Sequence, residues 1–212
     1  MKTKKTIWIP AILAAVAAVL LVAYYFYVSP LEGGGRPAGG AGGIRPPREE
    51  GPEGSREIFK TLGTIAVFLG ACSFSWFWFK RKLKSSSMLV RRTGKLLRSV
   101  HKLLGWATLA VIAVHGIYFL FAKPGDDKIY TGLAGFAILL AIAGYGFFIN
   151  KVRNKWMRMV HRILGLLWVP VLLLHAGGSV IVAVIASLAV WALVRVLERK
   201  GEEPLKPSSQ QS

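Results

Sequence analysis

Six stretches of the chain are almost continuously apolar: residues 7–28, 58–79, 101–121, 129–150, 157–176 and 179–197. Each is about 20 residues long, the length a helix needs to carry its backbone across the hydrocarbon core of a bilayer. The polar stretches between them are short and mostly basic, apart from one rich in Gly and Pro. The pattern predicts an all-α membrane protein, a bundle of six transmembrane helices. It divides the chain into an N-terminal transmembrane helix (1–28), a Gly/Pro-rich extracytoplasmic loop (29–57), a main transmembrane bundle (58–197) and a cytoplasmic tail (198–212). The loop, with Gly33-Gly-Gly-Arg-Pro-Ala-Gly-Gly-Ala-Gly-Gly, holds too little apolar surface to offset its ordering entropy and is expected to be disordered. The first apolar run follows Met1-Lys-Thr-Lys-Lys and ends in Ala-Tyr-Tyr-Phe-Tyr-Val without a small-residue cleavage site. It is therefore expected to be a retained helix; cleavage as a signal peptide would leave five spans.

Charge refines that picture. The formal net charge is +18, but the Lys and Arg residues cluster between the apolar runs rather than along one face, so we read them as topology rather than nucleic-acid binding. Lys80-Arg-Lys-Leu-Lys, Arg91, Arg92, Lys95 and Arg98 fall between the second and third runs, and Lys151, Arg153, Lys155 and Arg158 between the fourth and fifth. The alternate connections carry Glu32, Glu49, Glu50, Glu53, Glu57, Asp126 and Asp127 beside their basic residues. The positive-inside rule then predicts cytoplasmic N- and C-termini in a plasma or inner membrane. The lone cysteine, Cys72, excludes an internal disulfide, a multi-cysteine zinc site and a Cys-ligated iron–sulfur cluster; it reads as a packing residue of the second span. Gly132-x-x-Gly135 marks a candidate helix contact.

No Asp, Glu, Lys or Arg falls in the middle of a span, so the histidines are the only ionisable side chains at depth, where such groups usually have a partner or a function. They come as His101 and His115 on the third span and His161 and His175 on the fifth. A separation of 14 residues returns to within roughly 40° of the same helical face and advances about 21 Å along the axis. The two spans repeat at an offset of 60, Val100-His-Lys-Leu-Leu-Gly against Val160-His-Arg-Ile-Leu-Gly. With one span between them they run in the same direction, which places His101 level with His161 and His115 level with His175. Two imidazoles facing each other in an apolar bundle suit the axial positions of a haem iron. The absence of Cys-x-x-Cys-His argues against covalent attachment, so two haem b groups are expected.

Around the ligands, Gly105 and Gly165 lie one turn after the inner histidines, where a missing side chain would let a porphyrin edge approach. Gly116, Gly177 and Gly178 are candidates for the same role at the outer level. Arg98, Lys102, Arg158 and Arg162 lie at the depth of the inner propionates. Trp168, midway between the fifth-span ligands, is expected to pack against Thr108 between the macrocycles. Pro170 is expected to bend its helix by clashing with the Leu166 carbonyl. For His101, the carbonyl one turn back, that of Leu97, is the expected acceptor for the second ring nitrogen.

At His101-Lys-Leu-Leu-Gly to His115 and His161-Arg-Ile-Leu-Gly to His175 the chain resembles the ferric-reductase-like transmembrane domain. That superfamily includes NADPH oxidase membrane cores, ferric reductases and the haem-binding membrane subunit of bacterial methionine sulfoxide reductase. The resemblance covers about residues 58–197. It implies electron flow from a cytoplasmic donor through the inner haem to the outer one and on to an extracytoplasmic acceptor. The tail after residue 197 is too short for a flavin or nicotinamide domain, and no Gly-rich dinucleotide fingerprint opens a helix. The donor is therefore expected to be a separate flavoprotein or a quinol, and the chain an electron-transfer subunit in the lipid bilayer. Two alternatives stay open: reduction of ferric chelates or dioxygen directly at the outer haem, and a transporter or store in which the histidines bind a divalent metal.

Overall fold

The computed structural model describes residues 3–33, 53–123, 125–152 and 154–202, and within them every regular element is α-helical. The helices are α1 (Thr3–Gly33), α2 (Glu53–Phe79), α3 (Met88–Ala122), α4 (Lys128–Val152), α5 (Lys155–Ala176) and α6 (Gly178–Glu202). Five of them, α2 to α6, contain spans of 22 to 35 residues that are long and apolar enough to cross a membrane. Their outward faces carry large, exposed apolar side chains, Leu103, Ile117, Phe121, Leu140 and Ile185 among them. In water such a surface would aggregate; facing acyl chains it is ordinary. The chain is a multi-pass helical membrane protein. The apolar part of α1, Trp8–Tyr24, is shorter than the other five spans.

Several boundaries differ from the sequence expectation. The third helix begins at Met88, thirteen residues before His101, because residues 88–100 keep helical spacing with Val90 and Gly94 buried while Arg91, Arg92, Lys95 and Arg98 stay at the surface or half-buried. Hydropathy alone registers only the lipid-crossing part of such a helix. The ends of the segment expected to be a disordered loop are helical, in α1 as far as Gly33 and in α2 from Glu53; residues 34–52 lie outside the described residues. Likewise α6 continues into the expected tail as far as Glu202, and the remainder of that tail is not described. Lys82, in the connection after α2, pairs with Glu198 of α6 at 2.8 Å.

From α2 onward, short connections fold consecutive helices back on one another. The tightest is a single residue, Gly177, between α5 and α6; its φ of 52° is a left-handed conformation that costs glycine nothing. Packing is strongest within the hairpins α2–α3 and α4–α5, with α1 laid against α4 and α5, and α6 against α2 and α5. The main core gathers Ala134, Ile138 and Leu139 of α4 with Val160, Leu164 and Trp168 of α5 and Ala11 and Ala18 of α1. One pair of helices is conspicuous for not packing. No α carbon of α3 lies within 8 Å of one on α5, although the two face each other across the middle of the bundle.

Candidate functional site

The four histidines meet across that gap. The rings of His101 and His161 have centroids 6.2 Å apart, and those of His115 and His175 6.3 Å apart. The pairing is inner with inner and outer with outer, which requires α3 and α5 to run in the same direction. An imidazole centroid lies about 1.1 Å from its nitrogen and a metal–imidazole bond is about 2.0–2.1 Å, so two rings flanking one metal ion have centroids roughly 6.3 Å apart. Both pairs have a separation compatible with one ion between them. The ring planes are nearly perpendicular, at 85° and 89°.

Each ring is anchored through Nδ1, and in every case the anchor is a backbone carbonyl on the preceding helix. His101 donates to Ser73 at 3.0 Å and His115 to Phe59 at 2.7 Å, both on α2. His161 donates to Ile142 at 2.9 Å and His175 to Lys128 at 3.1 Å, both on α4. A carbonyl oxygen can only accept, so Nδ1 carries the proton and Nε2 keeps its lone pair for a metal. The expectation that Leu97 would serve His101 is corrected: within α3 that carbonyl belongs to the helix ladder, whereas α2 brings an additional acceptor to the ring. Two hydroxyls stand at the same nitrogens, Ser73 Oγ 3.0 Å from His101 Nδ1 and Thr131 Oγ 3.1 Å from His175 Nδ1.

The close approach of α2 and α4 depends on glycines that sequence reading passed over as ligand supports. A Cβ on Gly63 would stand 2.7 Å from His115 Cε1, one on Gly132 2.9 Å from His175 Cε1, and one on Gly146 3.2 Å from His161 Cε1. Each lies four residues after the carbonyl that holds the same histidine. The available signal was the spacing: Gly132 and Gly146 are fourteen residues apart, as are the ligands. By contrast a Cβ on Gly105, Gly165, Gly116, Gly177 or Gly178 would meet nothing within 4 Å. Gly105 and Gly165 therefore border open space on the histidine helices.

Trp168 lies seven residues from both His161 and His175 and is buried. Its indole nitrogen donates to the Gly135 carbonyl at 2.9 Å, and its ring reaches the point where a Cβ on Gly70 would be, 2.9 Å from Cζ3. The Thr108 methyl approaches the same point at 3.6 Å. The expected pairing of Trp168 with Thr108 thus becomes a three-helix contact, with α2 supplying the hollow because α3 and α5 stand apart. Gly135 of the Gly132-x-x-Gly135 pattern is where α4 meets this ring. Pro170 is accommodated within α5, which continues through it.

Arg98, Lys102, Arg158 and Arg162 are exposed at the inner end; Arg162 Nε donates to the Arg158 carbonyl at 3.1 Å. Sequence reading grouped Lys80 with Arg98 in one basic connection but did not count it among the cations at the histidine level. Partial burial, then the neighbouring Arg162 and Arg81 charges, push its ammonium below the ordinary lysine range. Such a cation gains from a nearby anion. Cys72 is exposed on the outer face of α2, correcting its reading as a packing residue. Among the described residues no three or more His, Cys, Asp or Glu side chains converge on one point, so a metal at either histidine pair would have two such ligands.

Comparison with known protein families, with characterised proteins and with solved structures finds no match to this chain.

Proposed function

We propose that the protein is a di-haem b-type membrane cytochrome that carries electrons across the bilayer. The observation that supports this best is the pair of histidine couples, 6.2 and 6.3 Å between centroids, on two helices that leave a gap between them. His101 and His161 would hold the inner haem iron, and His115 and His175 the outer one. A haem held by two histidines exchanges single electrons at iron without a free coordination position. The protein fixes ring orientation through the four carbonyls, excludes water with the apolar bundle, and offers Arg98, Arg158, Arg162 and Lys80 to the inner propionates. Gly105 and Gly165 leave room for the macrocycle, and Trp168 fills the interval between the two levels.

A bare divalent ion fits less well. Structural zinc takes four protein ligands and catalytic zinc three, against two here. In our reading α1 completes six spans, both termini are cytoplasmic by the positive-inside pattern, and the donor is a cytoplasmic-side flavoprotein or a quinol serving an extracytoplasmic acceptor. The resemblance to the ferric-reductase-like domain supports the same direction of electron flow.

The test is the absorption spectrum of the purified protein with a pyridine haemochrome assay. Two b haems per chain are expected. His101→Ala or His161→Ala should remove the inner one and His115→Ala or His175→Ala the outer. A protein that binds zinc tightly and shows no Soret band would overturn the proposal.

A further inference from the structure

The four ligand histidines are not anchored alike. Among the described residues His115 and His161 have only a carbonyl at Nδ1, whereas His101 and His175 have a carbonyl and a hydroxyl. The two hydroxyls are placed diagonally. Ser73 serves the α3 ligand of the inner couple, and Thr131 the α5 ligand of the outer couple, so each couple has one ligand of each kind. Thr131 is fully buried; its hydroxyl donates to the Lys128 carbonyl at 2.9 Å, leaving its lone pairs for the His175 N–H. Ser73 Oγ stands 3.5 Å from the His101 carbonyl and 3.0 Å from the ring nitrogen. Since the carbonyl fixes the proton on Nδ1, both hydroxyls stand as second acceptors of an N–H that is already bonded.

Building on the di-haem reading, we propose that Ser73 and Thr131 are positioning residues that set the reduction potentials of the inner and the outer haem separately. An imidazole whose N–H is drawn toward two acceptors is a stronger donor at its other nitrogen, and a stronger donor favours the oxidised metal. Each hydroxyl thus lowers the potential of one haem through one of its two ligands. Each couple can then be adjusted without altering a ligand or the helix packing, a separation that a two-level wire needs to keep its steps in order.

Redox titration of the purified full-length protein, followed at the α band, tests this. Ser73→Ala should raise one midpoint potential and leave the other in place. Thr131→Val, nearly isosteric, should raise the other. The expected change is a few-fold to tenfold in the oxidised-to-reduced ratio at fixed potential, tenfold being 59 mV for one electron. Ser73→Thr and Thr131→Ser, which keep the hydroxyl, should restore the wild-type values, an outcome a purely structural role would not give. The double variant should move both midpoints. Wild-type haem content of two with unmoved midpoints in both deletions would overturn this inference and leave the di-haem reading standing. Absence of haem from the wild-type protein would overturn the reading itself.

Discussion

On the di-haem proposal, adding one methyl group at Gly63 should weaken binding of the outer haem while leaving the fold intact. A Cβ there would lie 2.7 Å from Cε1 of His115, 3.0 Å from Nδ1 and 3.3 Å from Nε2, so it would press on the ring itself rather than on a flexible tip. Carbon atoms pack comfortably at about 3.5–4.0 Å, so the ring has to retreat by roughly 0.8 Å. It is tied on one side by the 2.7 Å bond to Phe59, and that carbonyl is on the same helix as the new methyl. Metal–ligand distances tolerate about 0.2 Å, a quarter of the required movement. Overpacking of this kind costs about 1–3 kcal/mol, and charged to haem binding it lowers affinity roughly 5- to 150-fold. Helix propensity works in the opposite direction, since Ala is favoured over Gly by up to about 1 kcal/mol in a helix interior. The haem-free protein therefore should not lose its helices. The assay is haem stoichiometry of Gly63→Ala against Gly54→Ala, where a Cβ meets nothing within 4 Å, with circular dichroism on both. Gly63→Ala should hold the outer haem roughly 5- to 150-fold more weakly and the inner one as before, and Gly54→Ala should hold both as the wild type does. Two haems held with wild-type affinity in Gly63→Ala would refute the reasoning.

The same logic grades the other glycines: Gly132→Ala should weaken the outer haem nearly as much as Gly63→Ala does, and Gly146→Ala the inner one less, in step with approaches of 2.9 and 3.2 Å. Gly105→Ala and Gly165→Ala should behave in the reverse manner to a packing defect. Each should stabilise the haem-free protein by up to about 1 kcal/mol yet reduce inner-haem content, because the new methyl meets nothing until the macrocycle arrives. Equal stabilisation of both forms would show that these glycines do not border the haem. Trp168→Ala should cost about 3–5 kcal/mol in thermal or denaturant unfolding by leaving a cavity among α2, α4 and α5. Trp168→Phe should cost about 1 kcal/mol, the worth of the lost bond to Gly135.

Much of the arrangement could be read from the sequence because it depends on periodicity. The fourteen-residue spacing fixes a face and a depth for each histidine, and the sixty-residue repeat fixes which helices match. What could not be read is where a second helix crosses. The acceptor for His101 lies 28 residues away on α2, and nothing in the residues around Ser73 distinguishes its carbonyl from those of the next turns. The start of α3 was hidden for a different reason: residues 88–100 are helical yet too basic to register as a span. Gly132 and Gly146 fall between these cases. Their period equals that of the ligands, so the pattern was present, but glycine in a membrane helix is common for close packing alone and its role emerges only beside the imidazole it admits.

The division of labour between the two hairpins governs how the protein can be made. Each hairpin orients its own pair of rings, yet each contributes only half of either site, so on the di-haem proposal no iron would be bridged until the fifth helix had joined the third in the membrane. Loading would then be a late step in biogenesis, and a chain that missed it would keep the gap between α3 and α5. Filled and unfilled molecules would differ in how readily their halves separate.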